Sequence, residues 1–330
     1  MQPASHPNVH EPWRAWSENA TLYVATAYAN PVRWRSRRTL LNDFRQHMAA
    51  SKNVVLHMGE IQYGERPFEI TDSQNLSDLQ LRTRDELWHK ENLLNLVIQT
   101  FPADWKYGAV IDGDFQMTRP DWALEAIHQL QLYDFVQLFS SYSPLSGDHR
   151  PTSVTPGFAY SYLSTRRAPS PNLPSHVGAP GGAWAFRREA FDQVGGLLDT
   201  CILGSADWHM AMALAGEPDR HWEVRECPDP YVRKINAWAK RAEALKGNMG
   251  YVQNHAIHHF HGPMSKRGYS SRSRILRDHR FDPDVDLRRD WQGLWQFAGN
   301  KPRLRDDIRA YFRERNEDSV DLGPRDRLMV

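Results

Sequence analysis

The 330-residue sequence has little cysteine, with Cys201 and Cys227 its only two. That excludes a disulfide framework or a multi-thiolate zinc finger and fits a reducing compartment. No apolar run approaches the roughly 20 residues needed to cross a bilayer. The opening segment, MQPASHPNVHEPWRAW, has no apolar stretch of the kind a secretory signal requires. A cytoplasmic location and no membrane span are therefore expected. Charge of one sign is also lacking: 41 basic against 40 acidic side chains leave a net +1, which removes any global electrostatic case for nucleic acid. Internal repeats and low-complexity segments are absent. What remains is a globular composition, 40% hydrophobic with a mean hydropathy of −0.67, long enough for one large domain or two small ones.

Tryptophan is plentiful, at 12 residues. Indole faces stack on sugar rings but also fill ordinary cores. Charge is unevenly spread. Residues 264–289 carry eight Lys/Arg against four Asp, and Arg33, Arg35, Arg37 and Arg38 form a second basic cluster. Each is either a phosphate-facing patch or a solvated face.

Residues 1–20 read as an irregular leader. The run 21–28 reads as a strand ended by Asn30-Pro31. Leu40, Leu41, Phe44 and Met48 give helical spacing over 36–50. A strand is expected at 53–61, a loop at 62–80, a helix at 83–99 and a strand at 107–114. A helix opened by Pro120, reaching about Leu130, and a strand at 134–143 follow. The Pro/Ser/Gly-rich stretch 144–180 reads as a functional loop. Beyond it lie a strand and helix over 181–196, a helix over 204–216 and a strand over 255–262. A charged tail from 283 is expected to be helical near 303–316. The alternation of strands and helices predicts a mostly parallel α/β sheet, with ligands at the carboxyl ends of its strands.

Four segments carry chemistry. In VIDGDF (110–115), Asp112 and Asp114 share one face if extended, and Gly113 lets the chain turn. Two converging carboxylates call for a cation, and a hard ion such as Mg²⁺ or Mn²⁺ suits them. The alternative is a turn with two solvated acids. In HAIHHFHG (255–262), His255, His258, His259 and His261 crowd together, with His259 and His261 on one face by the period of two. They are metal ligands or mutually supporting surface histidines. In LGSADWHMAMALAG (203–216), Asp207 falls in a helix's first turn, as a general base or as a cap. In DELWHKENLLN (85–95), Trp88, Lys90, Glu91 and Asn92 put polar groups and an indole on an early helix turn. Lys90 there is a diphosphate contact or a surface lysine.

The order of IDGD, PGGAWAFRREAFDQVGGL, LGSADWHMA and HHFHG resembles that of the GT-A glycosyltransferases, in their family-2-like and β-1,4-galactosyltransferase-like branch. The resemblance covers roughly residues 20–270. It implies a GT-A, Rossmann-like mixed sheet, mostly parallel and flanked by helices, with a C-terminal helical extension. The catalytic domain would span 21–282, with a nucleotide-binding half at 21–143, an acceptor and metal-completing half at 144–282, and an extension at 283–330. By position, Ala27, Tyr28, Asn30 and Pro31 would meet the nucleotide base, as would Glu60. Asp112 would contact ribose or metal beside Gly113, Asp114 would bind Mn²⁺ or Mg²⁺, and His261 or His259 would complete the metal shell. Gly181, Gly182, Trp184 and Trp208 would line the donor sugar and acceptor. Asp207 would deprotonate the acceptor hydroxyl. One departure is clear: the family's acidic pair at this helix start is here Ala206-Asp207, and the first acid's contact to a donor-sugar hydroxyl is missing.

The expected reaction is inverting transfer from a nucleotide-sugar donor, with UDP as the nucleotide. The acceptor would be a saccharide. Lys266, Arg267, Arg272, Arg274 and Arg277 could grip donor phosphates or a nucleic-acid backbone, which keeps a modified DNA base open as acceptor. Two other classes stay open: a non-catalytic sugar- or nucleotide-binding module on the same scaffold, and a zinc hydrolase centred on the histidines.

Overall fold

The computed structural model describes residues 20–169, 178–220, 222–269 and 271–319. Most of the expected leader, the middle of the Pro/Ser/Gly-rich stretch and the last eleven residues lie outside the described residues.

The chain runs β1 (Leu22–Ala29), α1 (Arg35–Ala50), β2 (Val54–Tyr63), β3 (Asp78–Thr83), α2 (Lys90–Ile98), β4 (Tyr107–Ile111), β5 (Phe115–Met117), α3 (Trp122–Gln129), β6 (Phe135–Gln137), β7 (Ser141–Pro144) and β8 (Thr155–Pro156). It continues α4 (Phe158–Thr165), β9 (Ala183–Arg187), α5 (Arg188–Val194), α6 (Ala206–Leu214), α7 (Trp222–Glu226), α8 (Asp229–Ala242), β10 (Met249–Tyr251) and β11 (His255–His258). Last come α9 (Arg272–Asp278), α10 (Pro283–Asp286), β12 (Leu287–Arg289), β13 (Trp295–Phe297) and α11 (Pro302–Glu314).

Among the described residues, seven strands form one sheet in the order β10-β6-β9-β4-β1-β2-β3. All its pairings are parallel except those that β9 makes with β4 and β6. The fold is thus α/β, with a mixed, mostly parallel sheet flanked by helices. β1 sits near the centre of the sheet with helices packed on both its faces, and its sequence is accordingly an almost unbroken apolar run. Leu22 and Val24 point to the α1 and α3 side, where Leu41, Phe44, Met48 and Trp122 pack. Ala25 points to the other side, against Leu93, Leu94 and Val97 of α2. Each buried side chain of this size contributes about 1.5–3 kcal/mol. A smaller sheet, β5-β11-β7-β8, lies beyond the end of β4.

Four expectations change. The stretch 78–83 is a parallel strand on β2 rather than loop, and the helix expected from 83 begins only at Lys90. Residues between them are drawn into tertiary bonds: the Asp85 carboxylate accepts from the Phe297 amide at 2.8 Å, and the Trp88 amide donates to the Ile202 carbonyl at 3.0 Å. These outweigh local helical periodicity. The strand expected at 134–143 is two strands, β6 in the large sheet and β7 in the small one. The stretch 144–180 also holds β8 and α4.

The C-terminal segment is built into the body. Leu304, Ile308, Tyr311 and Phe312 of α11 join the core on the α2 side. Past that helix, Asp318 accepts from the backbone amides of Arg35 and Ser36 at 2.9 and 2.8 Å. It thereby caps α1, which has no side-chain cap of its own. No helix among the described residues is long and apolar enough to cross a membrane.

Candidate active site

A cavity of about 530 Å³ opens at the carboxyl ends of β1 and β4, where open α/β sheets bind their ligands. Its floor comes from Ala27, Tyr28 and Ala29 of β1 with Ile111 and Asp112 at the end of β4. The chain turns sharply there: the Asp112 amide donates to the Gly182 carbonyl at 2.8 Å, and the Phe115 amide donates back to the Asp112 carbonyl at 3.0 Å. Gly113 serves this turn by its size. Its backbone is not left-handed, but a Cβ would lie 2.7 Å from Leu41 Cδ1.

Because the chain turns, Asp112 and Asp114 do not share a face. The Asp112 carboxylate meets Lys90 Nζ at 2.5 Å. Burial disfavours the Lys90 ammonium, but Asp112, Glu91 and Asp207 outweigh that cost and hold its pKa above the ordinary lysine value. Asp114 instead faces two imidazoles, with its Oδ2 at 2.9 Å from His261 Nε2 and 3.5 Å from His258 Nε2. Burial opposes ionisation of Asp114, yet these imidazoles hold its carboxyl well below the usual range. Burial also pushes His258 towards the neutral form, the state in which imidazole binds metals.

Ligand atoms of Asp114, His258 and His261 all lie within 4.8 Å of one another. Asp114 Oδ1 is buried with no hydrogen-bond partner among the described residues, which an ion would supply. An ion held by these three groups alone would keep coordination positions open. Behind His261, Glu317 approaches Nδ1 at 3.8 Å and is itself gripped by Arg37 and Arg315, each at 2.6 Å. A carboxylate behind an imidazole orients its ring.

His259 is not part of this cluster. β11 ends at His258, so the period of two stops there and the loop returns His261 to the side of His258. The His259 ring turns outward to Gln116 at 3.0 Å. His255 is engaged by Ser141 and Ser143 in the small sheet.

Asp207 lines the same cavity from the first turn of α6, its Oδ1 accepting from the Trp208 amide at 2.9 Å. Its other oxygen lies against Gly181, where a Cβ would come within 2.6 Å of it. Gly182 has φ +94° and would clash with Phe115 if it carried a side chain. Gly181, Gly182 and Trp208 line the cavity. Trp184 lies behind them, facing an apolar recess and donating to the Pro180 carbonyl at 2.7 Å. Glu91, on α2, also lines the cavity. Burial pushes its carboxyl up to about 7, with Lys90 opposing and Asp207 adding.

The basic segment divides. Arg267 and Arg272 turn inward, 5% and 8% exposed, and line the cavity with Arg315 at 2%. Arg267 Nε has no hydrogen-bond partner among the described residues. Arg274 and Arg277 face solvent, Arg277 beside Glu226 and Asp278. Lys266 lies outside the cavity wall.

Two further expectations are corrected. Asn30 does not face the cavity, because it is buried and bonded to the Trp34 amide, the Trp34 carbonyl and the Tyr28 hydroxyl. Glu60 is fully buried, and its carboxylate accepts from Glu69, Ile70, Thr71 and Gln62, tying down the loop after β2. Ala27, Tyr28 and Pro31 do line the cavity. Sequence reasoning missed Arg315, Phe312 and Glu317, which reach the site from the far end of the chain. For His258, the signal was available in where the strand must end.

No family model matches the sequence, and no characterised protein matches it in sequence. Among solved structures, the chain is similar to the catalytic domain of Drosophila β1,4-galactosyltransferase 7 in complex with xylobiose. Identity is 14%, covering 86% of this chain and 97% of that one, with a TM-score of 0.35. A variant of that enzyme in complex with manganese, UDP-Gal and xylobiose matches at 14% identity, 86% and 98% coverage and a TM-score of 0.36. S. aureus TarS matches at 9% identity, over 89% of this chain and 71% of that one, with a TM-score of 0.39.

Proposed function

We propose that this protein is a metal-dependent glycosyltransferase that moves a sugar from a nucleoside-diphosphate donor to an acceptor hydroxyl with inversion. One observation carries the reading: a carboxylate–imidazole cluster, inward-facing arginines and the lone helix-start carboxylate Asp207 surround a single cavity at the carboxyl edge of the sheet. The arginines suit a diphosphate, since guanidinium groups bind phosphate oxygens in pairs. Asp114, His258 and His261 would hold the cation. Two imidazoles favour Mn²⁺ over Mg²⁺, which prefers oxygen alone. A cation there supplies charge neutralisation for the diphosphate.

In this reading, Arg267, Arg272 and Arg315 bind the departing diphosphate and stabilise the charge that builds on it. The acceptor oxygen attacks the anomeric carbon as the carbon–oxygen bond to the diphosphate breaks, its electron pair leaving with the phosphate. Asp207 takes the acceptor proton. The flat Trp208 and the bare backbone at Gly181 and Gly182 give room for sugar rings beside Asp207. A saccharide acceptor is favoured over DNA, because Arg267 and Arg272 turn into the cavity and are withdrawn from the outer surface.

The test is nucleoside-diphosphate release from a panel of nucleotide sugars, with and without Mn²⁺. A non-catalytic binder would be stabilised by a donor yet release no diphosphate, and a zinc hydrolase would need no nucleotide sugar at all. Asp207→Asn is expected to abolish transfer while donor binding persists. Unchanged turnover in that variant would remove Asp207 from the mechanism.

A further inference from the structure

Helix α6 opens with Ala206, fully buried and apolar, so it offers one carboxylate to the cavity rather than two. A second carboxylate arrives from another element. Glu91 lies in the first turn of α2, and both it and Asp207 line the main cavity and the apolar recess beside it.

Glu91 is hard to explain as structure. It is 5% exposed and has no ion-pair partner among the described residues, since the adjacent Lys90 is held by Asp112 at 2.5 Å. Every other residue of α2 that is buried, apart from Asn92, is Leu, Val or Ile. Asn92 is bonded to the Trp295 amide and the Gly293 carbonyl. The Glu91 carboxylate is met by its own backbone amide, and burial outweighs both that bond and the charge of Lys90, pushing the carboxyl up to about 7. A carboxylate has about four acceptor sites, and one that lines a cavity with a single local donor has room to accept from a ligand there.

We propose that Glu91 is a specificity-determining residue whose carboxylate accepts a hydrogen bond from a ring hydroxyl of the transferred sugar. The proposal rests on the reading of this cavity as a nucleotide-sugar site. Lys90 orients the neighbouring Asp112 and leaves Glu91 open to the sugar. A hydroxyl donating to a buried carboxylate forms a charge-assisted bond, so a donor without that hydroxyl is rejected.

The experiment compares wild type with Glu91→Ala and the near-isosteric Glu91→Gln. The probes are UDP-glucose, UDP-galactose, UDP-N-acetylglucosamine and singly deoxygenated forms of whichever reacts. In wild type, deoxygenation at one ring position is expected to lower kcat/KM by about 10- to 100-fold. In Glu91→Ala the same deoxygenation should cost no more than about twofold, while penalties at other positions stay as they were. Glu91→Gln, which retains an amide oxygen, should fall between the two. A purely structural residue would lower all donors together and leave the position-specific penalty intact. That result, in variants that still gain thermal stability from UDP with Mn²⁺, overturns the proposal. If wild type neither reacts with these donors nor is stabilised by UDP with Mn²⁺, the parent reading falls and this one with it.

Discussion

Two buried glutamates of this protein stand in opposite circumstances. Glu60, within β2, accepts five hydrogen bonds and closes a loop. Glu91 lies on the cavity wall with a lysine beside it that another acid has taken. From sequence, Glu60 was the functional candidate and Glu91 only one polar group among several on a helix turn. The difference teaches that burial of a charged residue is ambiguous until its partners are counted. A carboxylate met by many donors holds a fold together, and one met only by its own amide on a cavity wall points to what the fold binds.

The largest effect should come from the cavity side. Asp114→Asn or His258→Ala is expected to abolish Mn²⁺ binding by calorimetry and to cut transfer by about a thousandfold or more. His259→Ala, one residue away but facing out, should change neither. Equal losses from His258→Ala and His259→Ala would break the assignment of the cluster.

On the structural side, Glu60→Ala should destabilise the protein by about 3 kcal/mol or more in chemical denaturation, because it strands several buried amides. UDP binding by the folded fraction should persist. A stable Glu60→Ala protein that has lost nucleotide binding would reverse the comparison.

Glu91→Gln should do the opposite and stabilise. The Glu91 carboxyl titrates near 7 in the folded protein against an ordinary 4.5. Between those values the unfolded chain loses the proton first, so stability falls as pH rises, and the cost is complete above 7. Glutamine carries no such cost. The variant should therefore gain up to roughly 3 kcal/mol at pH 8, a gain that disappears near pH 4. Thermal melts of the two proteins across pH measure it, and parallel curves would show that Glu91 is not strained. A stabilising change that damages donor selection is the usual signature of a residue kept for function.

The smallest effect concerns the far end of the chain. Asp318→Ala removes the cap on α1 and should cost about 1 kcal/mol. Because Asp318 adjoins Glu317, Mn²⁺ affinity should weaken by only a few-fold. Loss of metal binding as complete as in Asp114→Asn would make the tail a ligand-bearing element rather than a support.

Local pattern made much of the fold legible. The α1 helix and strands β1, β2 and β4 lie where apolar periodicity places them, since a buried strand or an amphipathic helix writes its environment into every second or every third and fourth residue. The late start of α2 and the strand β3 were not legible. Both depend on bonds to partners such as Gln296 and Phe297, more than 200 residues away.

Sequence alone determined the residue types the site has to work with: two aspartates at a strand end, a crowd of histidines, an acid opening a helix and a basic segment after them. Only the tertiary structure decided their use. It separated Asp112 from Asp114 by a turn, chose His258 over His259 by ending a strand, and turned Arg267 and Arg272 inward. It also brought Arg315 to the cavity and Glu317 to the far side of His261 from the end of the chain. The physical reason is that covalent neighbours fix periodicity, whereas the partner of a charged group is whichever opposite charge or amide the completed packing leaves within about 3 Å.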